Sequence, residues 1–500
     1  MSELLELPDG APLPPPPADG WVTPHLTTSP ARRPVRVATS AVLVGALIAG
    51  LAFDLVIRSR IGIGAATLPI LVVGLLVATR SLPNRDARWL VSAAVLVTPW
   101  LAVRTNPTTV AIDLLVAWGL IVAAVSIGRS QRLLTMPGAA WLRAGVTLAE
   151  SSVLVVPFVG RGVSGIIGRS DAATNRRAVG RGLLLALPGL IAVAALLASA
   201  DAAFASLLRW WGVDRFGHVV VVIIGALLFA VLARCADEPT SAETVRPPRS
   251  LGRTEATTIV AAYVVVYATF VASRLLDVAP VATAQEISDA ARAGFFQLVV
   301  VATITLGMLV WVRARAAMDG VLRMLITTAA GLTVAIVVIA VHRLAVYRSA
   351  YGLTELRLGT TWFSWWLALL FVLVAASTFV HLGRRRWATA VLVSALGWIV
   401  GWNVLNSDAF IARANVRRIP AALVIESAGR DIYDGELTVQ LSDDAVPTII
   451  EHFDEIPAEQ QPMVRRWLCG ESPFDAAGLG WNRATARAQS ARTEFCGEEP

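Results

Sequence analysis

The chain has 500 residues, of which 56% are hydrophobic and 16% are charged, and its mean hydropathy is +0.64. Because a soluble domain carries roughly 25% charged residues, this composition excludes an ordinary soluble protein. The net charge of +7 does not indicate nucleic-acid binding, since the Arg residues lie in connections between apolar segments and do not gather on one face of a domain.

Eleven apolar segments of about membrane-spanning length follow one another along the chain. A bilayer core of about 30 Å requires roughly 20 apolar residues per helix, and a helix satisfies its own backbone hydrogen bonds in lipid. The predicted spans are 37–57, 61–79, 89–103, 108–127, 183–200, 218–233, 256–273, 295–312, 322–342, 361–381 and 387–405. The sequence therefore predicts an all-α fold, a polytopic transmembrane helical bundle of about 11 spans with a small helical C-terminal appendage.

Composition divides the chain into five regions. The predicted regions are a disordered Pro-rich cytoplasmic tail (1–36), an N-terminal membrane half (37–234), a cytoplasmic linker (235–255), a C-terminal membrane half (256–405) and a polar C-terminal helical tail (406–500). The first region contains too little apolar surface to fold alone. In the last region, cap residues predict short helices over 443–453, 457–469 and 482–492.

The Arg residues are distributed unequally between the two sets of connections. With the N-terminus in the cytoplasm, the cytoplasmic segments hold 23 Arg and the opposite connections hold 10, as the positive-inside rule requires. We therefore expect a multi-pass protein of the bacterial cytoplasmic (inner) membrane with a cytoplasmic N-terminus. An odd number of spans places the C-terminal tail outside the cytoplasm.

Residues 139–159 are apolar enough to suggest a further span. Arg143, Glu150 and Pro157 interrupt the segment, which favours an amphipathic helix lying at the membrane surface. If the segment crosses the bilayer instead, the number of spans becomes even and the C-terminal tail becomes cytoplasmic.

Cysteine and histidine usage allows one disulfide and gives no metal-binding pattern. The chain has three Cys and five His, and the His are scattered without metal-binding spacing. Cys469 and Cys496 fall in the same tail, and a disulfide between them would stabilise it by roughly 3 kcal/mol. Two unpaired thiols are the alternative, and nothing indicates a cofactor.

Two further patterns have ordinary explanations. Gly160, Gly162 and Gly165 match GxGxxG, but the surrounding strand–helix–strand context of a dinucleotide site is missing. Asp54 and Asp113 lie near the ends of predicted spans. They could relay protons or cations, or they could reach the interface and pair with a neighbouring Arg.

The strongest cluster of polar residues lies on the side predicted to face outward. Glu286, Asp289 and Arg292 precede the eighth span, and His342 and Arg343 end the ninth. The candidate binding residues follow, on either side of the last two spans. They are Glu355, Arg357, Asn406, Asp408 and Arg413. Carboxylates and Arg forks at a membrane surface could bind a phosphate or carboxylate headgroup, or could form salt bridges that hold the loops to the tail.

Three segments that contain many of these polar residues resemble, in this order, the sequences of one protein family. They read ARAGFFQL, YGLTELRL (Tyr351 to Leu358) and LNSDAFIARANVRR (Leu405 to Arg418), and together they are similar to an uncharacterised, domain-of-unknown-function family of multi-spanning bacterial, mainly actinobacterial, integral membrane proteins. The resemblance covers roughly Ala200 to Arg492. Ser407 stands where the family pattern suggests Pro. The resemblance implies a topology and motif positions but no activity.

The sequence leaves three functions open. The first is transport or envelope-lipid handling through an extracytoplasmic polar site, with the bilayer, an anionic lipid or an envelope precursor as partner. The second is a non-catalytic scaffold or sensor that binds other membrane proteins. The third is a polyprenyl-linked membrane transferase, which is disfavoured because the first outer loop is only Arg58 to Arg60 and offers no carboxylate.

Overall fold

The computed structural model describes residues 37–82, 85–126, 138–166, 213–236, 251–276, 284–380, 384–417, 438–470 and 477–497. The predicted N-terminal tail, the predicted span 183–200 and residues 237–250 of the predicted linker lie outside this part of the chain.

The described chain is helical throughout its membrane region and its tail. The membrane helices are α1 (Ser40–Ile57), α2 (Ile63–Ala78), α3 (Arg85–Val97), α4 (Pro107–Ser126), α5 (Gly138–Ile166), α6 (Val213–Ala236), α7 (Arg253–Leu276), α8 (Ala284–Arg315), α9 (Gly320–Tyr351), α10 (Glu355–Phe379) and α11 (Arg384–Leu405). The tail helices are α12 (Ser407–Val416), α13 (Val446–Glu451), α14 (Gln461–Cys469) and α15 (Arg483–Gly497).

Among the described residues, nine helices are long and apolar enough to cross a bilayer. They are α1 and the eight helices from α4 to α11. Helix α2 is also apolar but has only 16 residues. Each spanning helix combines high hydropathy with the roughly 20-residue length that a 30 Å hydrocarbon core demands. The prediction of an all-α membrane bundle is confirmed.

Two predicted segments differ in the structure. Arg143, Glu150 and Pro157 do not interrupt the segment 139–159, because α5 runs unbroken through Pro157, and its portion Gly145–Gly165 has the length and hydropathy of a span. The predicted span 89–103 is wrong as a single long helix. It consists of the 13-residue α3 followed by a 3₁₀ turn that begins at Thr98, where Pro99 occupies the first turn and favours the tighter geometry.

Contacts at the helix termini define two ends of the bundle. At one end, which we call the tail-bearing end, the Ile63 N–H donates to the Trp481 carbonyl at 2.9 Å, so the tail contacts the start of α2. At the opposite end, the Ala38 N–H donates to the Phe158 carbonyl at 3.3 Å. The loops after α1, the 3₁₀ turn and α9 therefore share the tail-bearing end with the start of α12.

Two large cores hold most of the described membrane helices together. One is formed by α1 to α6, with Leu76, Ile121 and Phe229 buried, and the other by α7 to α10, with Ile326 and Phe371 buried. Lipid tails are as apolar as these side chains, so close packing of small residues brings the helices together.

Glycine permits the closest of these approaches, between α1 and α6. A Cβ atom at Gly50 would lie 2.2 Å from the Val222 carbonyl oxygen, and one at Gly225 would lie 2.7 Å from the Phe53 side chain. Substitution at either position would push the two helices apart.

The tail forms a third core with α12. Ile449, Leu468 and Ala488 are completely buried against the last residues of α12. α14 ends before Gly470, as the sequence predicts. The structure joins Cys469 and Cys496 in a disulfide with a Cα–Cα distance of 5.7 Å, which connects α14 to α15.

Candidate functional site

A polar cavity of about 1010 Å³ opens at the tail-bearing end, between the membrane helices and the tail. Its walls come from the loop after α1, the start of α4, the first residues of α10 and α12, and the tail helices α14 and α15. The charged side chains that line it are Arg60, Glu355, Asp408, Asp443, Arg466 and Arg492. Three cations and three carboxylates therefore face one space.

Glu355 and Asp408 provide two of the three carboxylates in the cavity. Asp408 is 1% exposed, and its oxygens accept from Asn106 Nδ2 at 2.9 Å and from the Ser442 N–H at 3.0 Å. Glu355 begins α10, where a carboxylate interacts favourably with the helix dipole, and its carboxylate is close to Asn106 and Thr108. Within the described residues, Glu355 Oε1 is buried without a hydrogen-bond partner, so this oxygen retains the capacity to accept a hydrogen bond.

The cations differ in exposure. Arg492 Nη1 lies 3.2 Å from Asp443 Oδ1, and its guanidinium stacks on Trp467 at 5.6 Å, so this residue is held in place. Arg60 and Arg466 are exposed at the rim of the cavity. The arrangement can bind a phosphate at the rim and accept hydrogen bonds from donors deeper inside.

Asp444 connects the loop before α4 to the tail through an ion pair and hydrogen bonds. The sequence did not indicate it as a site residue. Its carboxylate is 2% exposed and pairs with Arg104 Nη1 at 3.0 Å. The same carboxylate accepts from the Thr105 N–H at 2.7 Å, from Thr105 Oγ1 at 3.0 Å and from the Asn106 N–H at 3.3 Å. A buried ion pair of this kind is stable only when such additional hydrogen bonds satisfy it.

Asn106 links this anchor to the cavity. Its Oδ1 accepts from the Thr109 N–H at 2.9 Å and so caps α4 directly before Pro107, the position where Pro is favoured. Its Nδ2 donates to Asp408, as described above. The Asn–Pro pair at the end of an apolar segment is the signal that could have pointed to Asn106 from sequence alone.

The structure brings two of the five candidate binding residues into the cavity, namely Glu355 and Asp408. Arg357 Nη1 donates to the Gly352 carbonyl at 2.7 Å, which fixes the loop before α10. Asn406 caps α12 from a left-handed backbone conformation at φ +54°. Arg413 is exposed near the end of α12 and does not line the cavity.

Asp54 has a local partner and a distant one. Its carboxylate pairs with Arg58 Nε at 2.9 Å, one of the two explanations considered from the sequence, and with His218 Nδ1 at 2.6 Å on α6. Asp113 accepts from Asn403 Nδ2 at 2.9 Å on α11. Both acids therefore connect membrane helices.

The remaining motif residues are outside the cavity. Gly160, Gly162 and Gly165 lie inside α5, where a Cβ atom at Gly162 would contact the Ala38 carbonyl oxygen at 2.6 Å, so close packing accounts for that glycine. The side chains of Glu286, Asp289 and Arg292 lie outside the described part of the structure. Within the described residues, no three His, Cys, Asp or Glu side chains group closely enough to hold a metal ion.

An aromatic groove of about 360 Å³ adjoins the polar cavity on the membrane side. Thr108 and Glu355 line both spaces. The rest of the groove is almost entirely apolar and comes from α4, α8, α10 and α11. Its other residues are Ile112, Val299, Leu356, Gly359, Thr360, Phe363, Trp398 and Trp402. A polar space and an apolar space thus meet at Glu355.

A family model described as Domain of unknown function (DUF4153) matches residues 90–452, which is more than half of the chain. The chain belongs to this family. No curated protein and no solved structure matched the chain. The matched range contains the cavity carboxylates Glu355, Asp408 and Asp443, whereas its three cations, Arg60, Arg466 and Arg492, fall outside it.

Proposed function

We propose that this chain is an integral membrane protein that binds and handles a membrane lipid, with transport or transfer of an envelope lipid as its role. The ligand is an amphiphile whose headgroup occupies the polar cavity and whose hydrocarbon chain lies in the aromatic groove. The observation that carries the proposal is the junction of the two spaces at Thr108 and Glu355. A lipid likewise has a polar headgroup joined to apolar hydrocarbon chains.

The charges in the cavity favour a particular headgroup. Arg60 and Arg466 at the rim suit a phosphate group, because guanidinium forks bind phosphate oxygens with charge-assisted hydrogen bonds. The carboxylates of Glu355 and Asp408 accept hydrogen bonds and so favour hydroxyl or amine donors. A phosphate headgroup that also carries hydroxyls, as in phosphatidylglycerol or a sugar-phosphate lipid, satisfies both requirements.

Two independent features support an extracytoplasmic placement of this cavity in a bacterial membrane. The Arg count over the predicted connections favours a cytoplasmic N-terminus, and α1 begins at the end of the bundle opposite the tail, whatever the number of spans between them. The tail that covers the cavity carries the Cys469–Cys496 disulfide, and disulfides persist in oxidising compartments outside the cytoplasm.

The test is lipid retention by the purified full chain, measured by native mass spectrometry after incubation with phosphatidylglycerol or phosphatidylcholine. Phosphatidylcholine carries a phosphate but no hydroxyl or N–H donor in its headgroup. We expect the wild-type protein to retain phosphatidylglycerol preferentially. The double variant Arg60→Gln/Arg466→Gln should lose about tenfold or more in affinity, since one charge-assisted hydrogen bond contributes roughly 1.5–3 kcal/mol.

The matched control is Arg413→Gln/Arg417→Gln. These two arginines are also exposed at the tail-bearing end but do not line the cavity. The control should retain phosphatidylglycerol as the wild type does. Equal losses in the two double variants, or equal retention of the two lipids by the wild type, would refute the proposed site.

A further inference from the structure

A second apolar space lies beside the polar cavity, within the N-terminal helices. This space, which we call the inner cavity, has a volume of about 580 Å³ and is surrounded by α1, α2, α4, α5 and α6. Apolar side chains such as Phe53, Trp118 and Phe229 form nearly all of its surface. Protein interiors leave few voids larger than a water molecule, and the described helices leave this much larger space between them.

The inner cavity and the polar cavity have a common border. Ser59, Arg60 and Ile61, in the loop after α1, line both of them. The tail holds this loop firmly, because a Cβ atom at Gly62 would lie only 2.4 Å from the Trp481 carbonyl oxygen. Arg60 therefore stands where an apolar space ends and a polar one begins, in the same relation that Glu355 has to the aromatic groove.

Helix α4 separates the two apolar spaces. Ile112 faces the aromatic groove and Leu114 faces the inner cavity. At 3.6 residues per turn, these two side chains point about 200° apart around the helix. An α-helix with its side chains is roughly 10 Å across, so the chains of one lipid would have to pass on both sides of it to fill both spaces.

Each apolar space also opens sideways. Leu228 lines the inner cavity and is 52% exposed, and Leu356 lines the aromatic groove and is 66% exposed. In a bilayer, the surroundings of these exposed side chains are lipid tails. Dry apolar cavities bind apolar molecules, which makes a hydrocarbon chain the fitting occupant of each space.

We propose that the protein binds two amphiphiles at once, with one hydrocarbon chain on each side of α4 and both headgroups in the polar cavity. The inference rests on the proposed lipid-handling function and extends it from one ligand to a pair. Arg60 then contacts the headgroup of the lipid in the inner cavity, and Glu355 contacts the headgroup of the lipid in the aromatic groove. Two lipids held head to head suit an exchange or transfer between them.

The experiment counts bound copies of lysophosphatidylglycerol, a single-chain probe, by native mass spectrometry of the full chain. Leu228→Trp narrows the inner cavity and Leu356→Trp narrows the aromatic groove. Leu115→Trp is the matched control, because Leu115 lies on α4 with 74% exposure and lines neither space. We expect two copies on the wild type and on Leu115→Trp, one copy on each of the other single variants, and none on the double variant.

The alternative outcomes identify which idea fails. If Leu228→Trp retains two copies while Leu356→Trp loses one, the inner cavity holds no lipid and the two-lipid inference is wrong, although the proposed function stands. If either variant alone abolishes binding of diacyl phosphatidylglycerol, one two-chain lipid straddles α4, and the inference is again wrong. If the wild type retains no probe, the proposed function itself fails.

Discussion

Asp444 at the tail-bearing end and Asp319 at the opposite end each pair with an arginine, but in different surroundings. The partners Arg104 and Asp444 are 13% and 2% exposed, and the backbone N–H groups of Thr105 and Asn106 add to the pair. The partners Arg253 and Asp319 are 71% and 27% exposed. The first pair joins segments some 340 residues apart in sequence, whereas the second joins neighbouring helices.

This difference shows where the fold depends on polar groups. Buried charges are costly unless every partner is present, so the tail-bearing end is specific in geometry and sensitive to single changes. Exposed pairs contribute little because water and salt screen them. The polar cavity lies at the end that the buried network makes rigid, which keeps Glu355 and Asp408 in a fixed relation.

Asp444→Ala should produce the largest loss of stability. The change leaves the Arg104 guanidinium buried without its carboxylate and removes the acceptor of the Thr105 and Asn106 N–H groups. We expect a cost of about 3–5 kcal/mol, measured by thermal or denaturant unfolding in detergent. Asp454→Ala, at an exposed position of the same tail, is the control. An equal loss of stability in the two variants would show that the buried contacts of Asp444 do not stabilise the tail-bearing end.

Loss of the disulfide should have the next largest effect. Cys469→Ala/Cys496→Ala removes a crosslink that closes a loop of 27 residues, and the expected loss is roughly 3 kcal/mol. Reductant should lower the unfolding temperature of the wild type to that of the double variant. Cys235→Ala is the control, because this Cys is buried in α6 and is not part of the disulfide; it should keep the response to reductant. A wild type that is indifferent to reductant would show that the crosslink does not stabilise the tail.

Arg253→Gln, at the opposite end, should have the smallest effect. The change removes the exposed ion pair with Asp319, whose contribution is at most about 1 kcal/mol. It also removes a positive charge from the first turn of α7, where the helix dipole disfavours cations. We expect a change in unfolding free energy below about 1 kcal/mol. A loss as large as that of Asp444→Ala would mean that the two ends do not differ as described.

Sequence patterns predict the membrane helices well because hydropathy over 20 residues depends on local composition alone. The segment around Pro157 shows where this approach fails. Pro157, Arg143 and Glu150 predict an interruption, yet a helix can carry Pro157 in its interior and expose Glu150 on one side. Membrane helices tolerate proline when neighbouring groups satisfy the freed backbone.

The candidate site was predictable only in part. Glu355 and Asp408 stand out in sequence as carboxylates beside apolar segments, and both line the cavity. Asp444, Asn106 and Arg60 do not, because their significance comes from contacts with residues hundreds of positions away. The sequence leaves the pairing of Cys469 with Cys496 as one of two alternatives, since spacing alone does not bring two thiols together.

The contacts of Asn482 determine when the polar cavity can form during synthesis. Its Nδ2 donates to the carbonyls of Leu101 and Arg104, residues that leave the ribosome long before it does. At roughly 5–20 residues per second, synthesis of the intervening 378 residues lasts roughly 20–80 s. During that interval the loop before α4 has no tail to bind, so the polar cavity is completed only once the tail has been synthesised.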